Sequence, residues 1–345
     1  MKSLITTPDS YVEKGGINFG LFKTPFKKMN YYDANIFKNH RFRLTRVKEW
    51  LGFDIECEDW QITFFIQNAK YVSSANCYAI NKKTGQLTKH ARAKLGGNTR
   101  ISNNHYDDKC IYAAKNFYLE FHDNLDNNIH RITASIKGNR KAAGLSADIT
   151  IYEDFNAVQP LVASLPLKGN CTIFTHKAPM PVSGEVSIGD EKVQLNRASD
   201  IAIMDEHKSY LPYRTVWRWA TFAGYDEQGR LIGANLGDHD TIENQDVWNE
   251  NCLWIADKLI PLESVHFSYD HNNPMSPWEI RDDHGKVEIT FYPSCQKKEN
   301  FSVGIIGMKY FQNNGHFRGY IKDENDNRIS VGDLSGVAEV MDSKW

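Results

Sequence analysis

Between Asp205 and Trp254 the chain places acids, amides and indoles more densely than an ordinary surface or core requires. Asp205, Glu206 and His207 set three titratable groups in a row. Trp217 and Trp219 stand two apart, so on a strand both indoles face one way while Arg218 faces the other. Buried indole N–H groups need acceptors, and Asn235, Glu243, Asn244, Glu250 and Asn251 follow within a few strand lengths. The pattern reads as one wall of a pocket. Desolvation disfavours the charged form of a carboxyl beside indoles, so Asp205, Glu243 or Glu250 next to Trp217, Trp219, Trp248 or Trp254 would hold a proton near neutral pH. Such an acid can protonate an alkene or an enol, and an indole face stabilises the resulting cation by about 1–2 kcal/mol when desolvated. The competing reading is a Trp-rich core whose acids close hairpins or pair with Arg214 or Arg218.

Other chemistries find less support. His207, His239 and His266 lie near acids, most densely at Asp238-His239-Asp240, but without the helical or C-x-x-C spacing of a strong metal signal, so no metal is expected. There is no G-x-S-x-G elbow, and Gly15-Gly16 and Gly96-Gly97 lack the Lys-Ser/Thr or helix that would cradle a phosphate. No cofactor is expected either. A formal net charge of -2 provides no field for nucleic acid. The six cysteines are scattered without a C-x-x-C pair, which fits free thiols in a reducing compartment. The N-terminal text has no signal-peptide core and no window approaches a membrane span, so a cytoplasmic location is expected.

The elements that must position these residues read as strands. Trp60 to Gln67 is aromatic and β-branched, and Asn76 to Ile80 returns as Gln86 to Ala91 across Asn81–Gly85. Asn116 to His122, Ile129 to Ile136 and Leu145 to Tyr152 continue a meander, while Lys109 to Lys115 reads as at most a short turn. Further hairpins are signalled at Gly189-Asp190, Asp226–Gly229, Asp282–Gly285 and Asp323–Asn327. Gly20 to Lys48 reads as a wrapping loop. Convincing helices are missing, so the class is all-β, sandwich or closed barrel. Proline cannot continue a ladder, which makes the stretch Thr175 to Pro181 the expected junction between two domains, residues 1–180 and 181–345, the second carrying the Trp and acid motif.

The runs GLFKTPF, RVKEW, MDEHKSYLPYRTVWRWATFAG, GRLIGANLGD, NENCLW and PWEIRDDHGKVEITFYPS together resemble the uncharacterised bacterial DUF2804 family, from about Gly20 to Trp345. The most specific parts are Asp205, His207, Lys208, Trp217, Arg218 and Trp219, then Glu250, Asn251, Leu253 and Trp254. More distantly the chain is similar to carotenoid hydratase and AttH-like proteins. That similarity implies two lipocalin-like antiparallel β-barrels in tandem and, in some members, acid-catalysed hydration or cyclisation of isoprenoid-type substrates. The site expected is then Asp205, His207 and Glu250 as catalytic groups, with Trp217, Trp219, Asn235, Asn251 and Trp254 around a hydrophobic small molecule. Hydration, cyclisation or isomerisation without a metal is the first reading. A non-catalytic lipocalin-like binder is the second, and a purely structural motif tying the barrels together is the third.

Overall fold

The computed structural model describes residues 3–97 and 99–345, with the side chain of Arg41 outside the described set. Short strands β1 (Val12–Glu13), β2 (Gly16–Ile17) and β3 (Gly20–Phe22) open the chain. Helix is confined to single-turn pieces and the four-residue Arg41–Leu44, all inside the stretch read as a wrapping loop or in connections between strands. The long strands then follow: β4 (Val47–Glu56), β5 (Trp60–Asn68), β6 (Val72–Asn81), β7 (Leu87–Leu95), β8 (Asp108–Ala114), β9 (Phe117–Asn124), β10 (Ile129–Ile136) and β11 (Leu145–Tyr152). After them come β12 (Leu161–Leu167), β13 (Cys171–Lys177), β14 (Pro179–Ile188), β15 (Glu191–Leu195) and β16 (Ile201–Tyr210). They pair antiparallel in the order β7-β6-β5-β4-β16-β14-β11-β10-β9-β8, with β15 on β14 and β13 on β16.

A second sheet is built from β17 (Arg214–Tyr225), β18 (Leu231–His239), β19 (Cys252–Ile255), β20 (Lys258–Pro261), β21 (Val265–Ser268), β22 (Trp278–Asp282), β23 (Val287–Val303), β24 (Ile306–Lys322) and β25 (Arg328–Lys344). Its order is β20-β19-β18-β17-β25-β24-β23-β22-β21. Both sheets are barrel-like, as expected. Each hairpin read from turn chemistry is present. The segment Lys109 to Lys115 is corrected: it lies almost wholly in β8, where Cys110 and Tyr112 alternate into the core.

The chain divides into two compact units, Thr6–Val162 with Phe174–Tyr210, and Leu211–Trp345 with Ala163–Ile173 and the N-terminal segment up to Ile5. The stretch Thr175 to Pro181, expected as the junction, therefore falls inside the first unit, just after the chain re-enters it at Phe174, and the last change of unit comes after Tyr210. Pairing geometry explains why proline is tolerated there. Met204 N–H donates to Ala178 O (3.0 Å) and Val182 N–H to Asp200 O (3.3 Å), so the even residues of β14 bond to β16. Pro179 and Pro181 are the odd ones, and their missing donors face away from that ladder.

The core of the first unit is formed by one phase of its strands, including Leu51, Phe53, Ile55, Phe64, Phe121, Ile132, Ile149, Met180 and Met204. That of the second includes Ala220, Phe222, Ala234, Leu236, Leu253, Trp278 and Phe317. Among the described residues none of the six cysteines is in a disulfide, and Cys295 alone is not buried. Burial pushes the Cys57 thiol up to about 11 and raises Cys77 and Cys110 as well. A thiol reagent should thus label Cys295 first in the native protein and all six after denaturation without reductant; mass spectrometry of the labelled chain reads the count. Among the described residues no helix is long and apolar enough to cross a membrane.

Candidate functional site

Strand β16 carries charge on both of its faces. Its even residues Ala202 and Met204 belong to the apolar core, so Glu206 and Lys208 continue the same inward phase, while Asp205 and His207 point to the opposite face. Glu206, His207 and Lys208 are buried. Buried charges persist only when paired and hydrogen-bonded, and each face supplies its own set of partners.

On the inward face the partners form a continuous line of carboxylates and imidazoles. His105, from the loop between β7 and β8, bonds Glu206 Oε2 through Nε2 at 2.5 Å. His176 Nδ1 lies 3.8 Å from the same oxygen. Its Nε2 donates to Glu153 Oε1 at 2.7 Å, and Glu153 Oε2 accepts from His130 Nε2 at 2.7 Å. His130 Nδ1 in turn donates to Asp123 Oδ1 at 2.8 Å. Because both ring nitrogens of His130 face carboxylate oxygens, only the imidazolium, with two N–H donors, satisfies the geometry. Burial opposes that charge, but Asp123 and Glu153 outweigh it and push His130 up to about 10. Burial likewise opposes ionisation of Glu153 and Glu206; the facing imidazoles, with Lys208 beside Glu206, hold both carboxyls below their usual range. Lys208 bonds the Ser102 carbonyl and lies 3.4 Å from Glu49, which also pairs with Lys70.

On the outward face Asp205 is the focus. Trp50, directly opposite His207 in the β4 register, donates its indole N–H to Asp205 Oδ2 at 3.0 Å and stacks on the His207 ring with centroids 4.5 Å apart. Lys177 Nζ is 3.0 Å and His207 Nε2 3.1 Å from Asp205 Oδ1, and Thr175 Oγ1 lies 3.3 Å from that same ring nitrogen. The Asp205 side chain is 22% exposed, whereas those of Lys177 and His207 are 3% and 6% exposed. Burial disfavours the carboxylate, yet Lys177 and His207 prevail and keep Asp205 well below the ordinary carboxyl range. Here the expectation of a protonated acid is corrected: the indole at Asp205 arrives with an ammonium and an imidazole, so the carboxyl is ionised. The available proton donors are His207 and Lys177.

In the second unit Trp217 and Trp219 share a face of β17, as the i, i+2 spacing requires, opposite the core residues Ala220 and Phe222. Trp219 Nε1 donates to Asn235 Oδ1 at 2.7 Å, and Asn235 Nδ2 donates to the Glu250 carbonyl at 2.7 Å. Asn251 accepts from Gly237 N–H at 2.5 Å and donates to the Glu263 carbonyl at 3.0 Å. These amides tie the connection between β18 and β19 to the sheet. Trp217 donates to Glu339 at 2.9 Å and stacks on His239 at 5.6 Å. Trp254 is fully buried, Glu250 is half-buried and Glu243 is exposed. The structure thus joins Asp205 to His207 in one unit and Trp219 to Asn235 and the Glu250 backbone in the other.

The histidines weighed as metal ligands are each engaged locally. His239 Nδ1 meets Thr241 Oγ1 at 2.6 Å, Asp238 pairs with Arg218 at 2.7 Å, and His266 meets Asp283 at 2.8 Å on the surface. A cavity of about 190 Å³ opens beside the hairpin joining β17 and β18, between Tyr225, Asp226, Arg230, Arg328, Ile329 and Leu334. None of the residues expected to line a pocket borders it.

Sequence reasoning missed Trp50, His105, Asp123, His130, Glu153, His176 and Lys177. A signal for most of them exists. Asp123 follows Leu119 and Phe121 and His130 precedes Ile132 and Ala134 in the apolar phase of their strands, Glu153 continues the phase of Ile149 and Ile151 just past β11, and His176 stands two before the core residue Ala178. A titratable residue in that phase must be buried and therefore partnered.

In fold, the chain is similar to CghA with Sch210972, at 11% identity and a TM-score of 0.51 over 86% of this chain and 88% of that one. Kievitone hydratase from Nectria haematococca matches at 9% identity and 0.46, over 86% and 88% of the two chains. A provisional AttH (NE1406) from Nitrosomonas europaea matches at 13% identity and 0.47, over 86% and 92%. No curated protein sequence matches. The profile of the family described as Domain of unknown function (DUF2804) matches residues 2–345.

Proposed function

The chain therefore belongs to the DUF2804 family, and from that premise we propose that it binds a small, largely apolar molecule of isoprenoid type and transforms it by proton transfer at Asp205 and His207. The observation that carries this reading is a partly exposed, ionised carboxylate whose three partners, Trp50, Lys177 and His207, are themselves buried. Such a group faces a ligand while its charge and orientation are fixed from behind. A cationic His207 can pass its proton to an alkene or enol carbon. The Asp205 carboxylate and the Trp50 ring then stabilise the cation, and His207 takes back a proton from the attacking water or from a neighbouring carbon. Hydration, cyclisation and isomerisation differ only in what quenches the cation. CghA, which shares the fold, is seen with Sch210972, so a barrel pair of this kind can hold a small organic molecule.

The test is incubation of the purified protein with linear isoprenoid alkenes in D2O, with product analysis by mass spectrometry. Deuterium should enter carbon. Asp205→Asn keeps the shape and removes the charge, so it should lower turnover by roughly 10²-fold or more while ligand retention in native mass spectrometry persists. Undiminished turnover in that variant overturns the role given to Asp205. Retention of a lipophile without any deuterium uptake by the unaltered protein points to the non-catalytic binder.

A further inference from the structure

We propose that His105, His176 and Glu206 form a binding site for one divalent metal ion of borderline softness, zinc foremost, inside the first unit. Each of the three offers a ligand atom, these atoms all lie within 4.8 Å of one another, and all three residues are buried. They come from a loop, from β13 and from β16, so the convergence is tertiary and leaves no spacing motif.

Three further observations point to an ion rather than to a set of ordinary hydrogen bonds. First, His176 is oriented as a supported ligand is. Its Nε2 is held by Glu153, which is held in turn by His130 and Asp123, and this leaves Nδ1 directed at Glu206. A carboxylate behind a histidine is the usual means of fixing the tautomer and angle of a metal-bound imidazole. Second, His176 Nδ1 and Glu206 Oε1 are buried and have no hydrogen-bond partner. Groups in that condition are costly, and an ion among the three residues would take up lone pairs at this point. Third, the charges favour it. Among the described residues of this inward face the carboxylates of Glu49, Asp123, Glu153 and Glu206 meet the ammonium groups of Lys208 and Lys70 and the imidazolium of His130. With His105 and His176 neutral one negative charge is left over, which a divalent ion more than offsets. Lys208 is drawn toward Glu49 and the Ser102 carbonyl.

Two imidazoles and one carboxylate match the three-ligand sites that leave a fourth position for water. Such a set binds zinc or cobalt in preference to calcium or magnesium, which take oxygen. The inference does not depend on the chemistry assigned to Asp205, which faces the other side of β16.

The experiment uses untagged, full-length protein, stripped with a chelator and titrated with Zn²⁺ and with Co²⁺. The expected result is one ion per chain, visible absorption of four-coordinate cobalt, proton release on binding, and a melting temperature that rises with zinc concentration. Glu206→Gln and His105→Asn should each weaken binding by roughly a hundredfold or more, since each removes a direct ligand where even an outer partner is worth about 10–100-fold. The titration of the unaltered protein decides the matter even where a variant fails to fold. No binding at one equivalent, or the same affinity in correctly folded variants, overturns the site and leaves the cluster as a protonated ion network.

Discussion

Replacing Glu153 by alanine should lower the free energy of unfolding by about 3–5 kcal/mol, the range for breaking a buried ion pair by removing one partner. Glu153 bridges two buried imidazoles, His130 and His176, at 2.7 Å each. Without it His130 keeps Asp123 as its single facing carboxylate, and His176 loses the acceptor of its Nε2 proton. For a unit of this size each kcal/mol corresponds to roughly 2–4 °C in melting temperature, so a thermal scan by circular dichroism reads the loss directly. A drop under about 1 kcal/mol would show that the line of charges contributes nothing net. The same groups set the sign of the pH dependence. His130 is raised to about 10, so its contribution is complete below the unfolded value near 6.5 and is lost as pH rises through 10. Glu153 is lowered; its contribution is present above the ordinary carboxyl value near 4.3 and is lost as pH falls through its own, lower one. Stability should therefore peak between those limits, and the alkaline decline should flatten in Glu153→Ala.

An equally large loss is expected from Gly184→Ala. Gly184 sits in β14 opposite both Ile149 of β11 and Leu195 of β15, at φ +128°. A Cβ there would stand 2.2 Å from the Asp148 carbonyl oxygen and 2.8 Å from Ile149 Cα, both backbone atoms that cannot swing aside. Backbone strain of order 1–3 kcal/mol adds to overpacking of similar size, for a total of about 4 kcal/mol or more. Gly229, at φ +73° with nothing within 4 Å of its would-be Cβ, supplies the control. Gly229→Ala should cost only about 1–2 kcal/mol. Denaturant midpoints for the two variants separate the clash from the strain; equal midpoints would mean that β14 relaxes around the added methyl.

The contrast between these residues also explains how far the sequence could be read. Hairpins such as Asn81–Gly85 and Asp226–Gly229 were legible because turn chemistry is local: the residues that define the turn are the residues in it. Asp205 and His207 stood out as titratable neighbours on one strand. What surrounds them did not, because Trp50 arrives through the β4 register from 155 residues away and Lys177 through β13. The indole expected at Asp205 was sought in Trp217 and Trp219, which share a region of sequence with it but belong to the other unit. Their N–H groups find acceptors in Glu339 and Asn235, one of which is more than a hundred residues from its donor. The carboxylate and imidazole line was the least visible of all. Asp123, His130, His176 and Glu206 each look like an isolated polar residue in a strand, and His105 comes from a loop that carries no alternation at all.

The segment Ala163–Ile173 belongs to the unit that is otherwise completed by Leu211–Trp345. A ribosome therefore delivers this piece before β14 and β16 exist, and long before the bulk of its own unit has been made. For the time taken to synthesise the intervening residues it has ladder partners in β3 and β13, but the rest of the unit that covers its side chains is missing. The same interleaving means that no single cleavage, at residue 180 or after Tyr210, yields two complete halves. A gene fragment that ends after Tyr210 would encode the first unit together with Ala163–Ile173 of the other, and one that ends at residue 180 would also lack β15, β16 and most of β14.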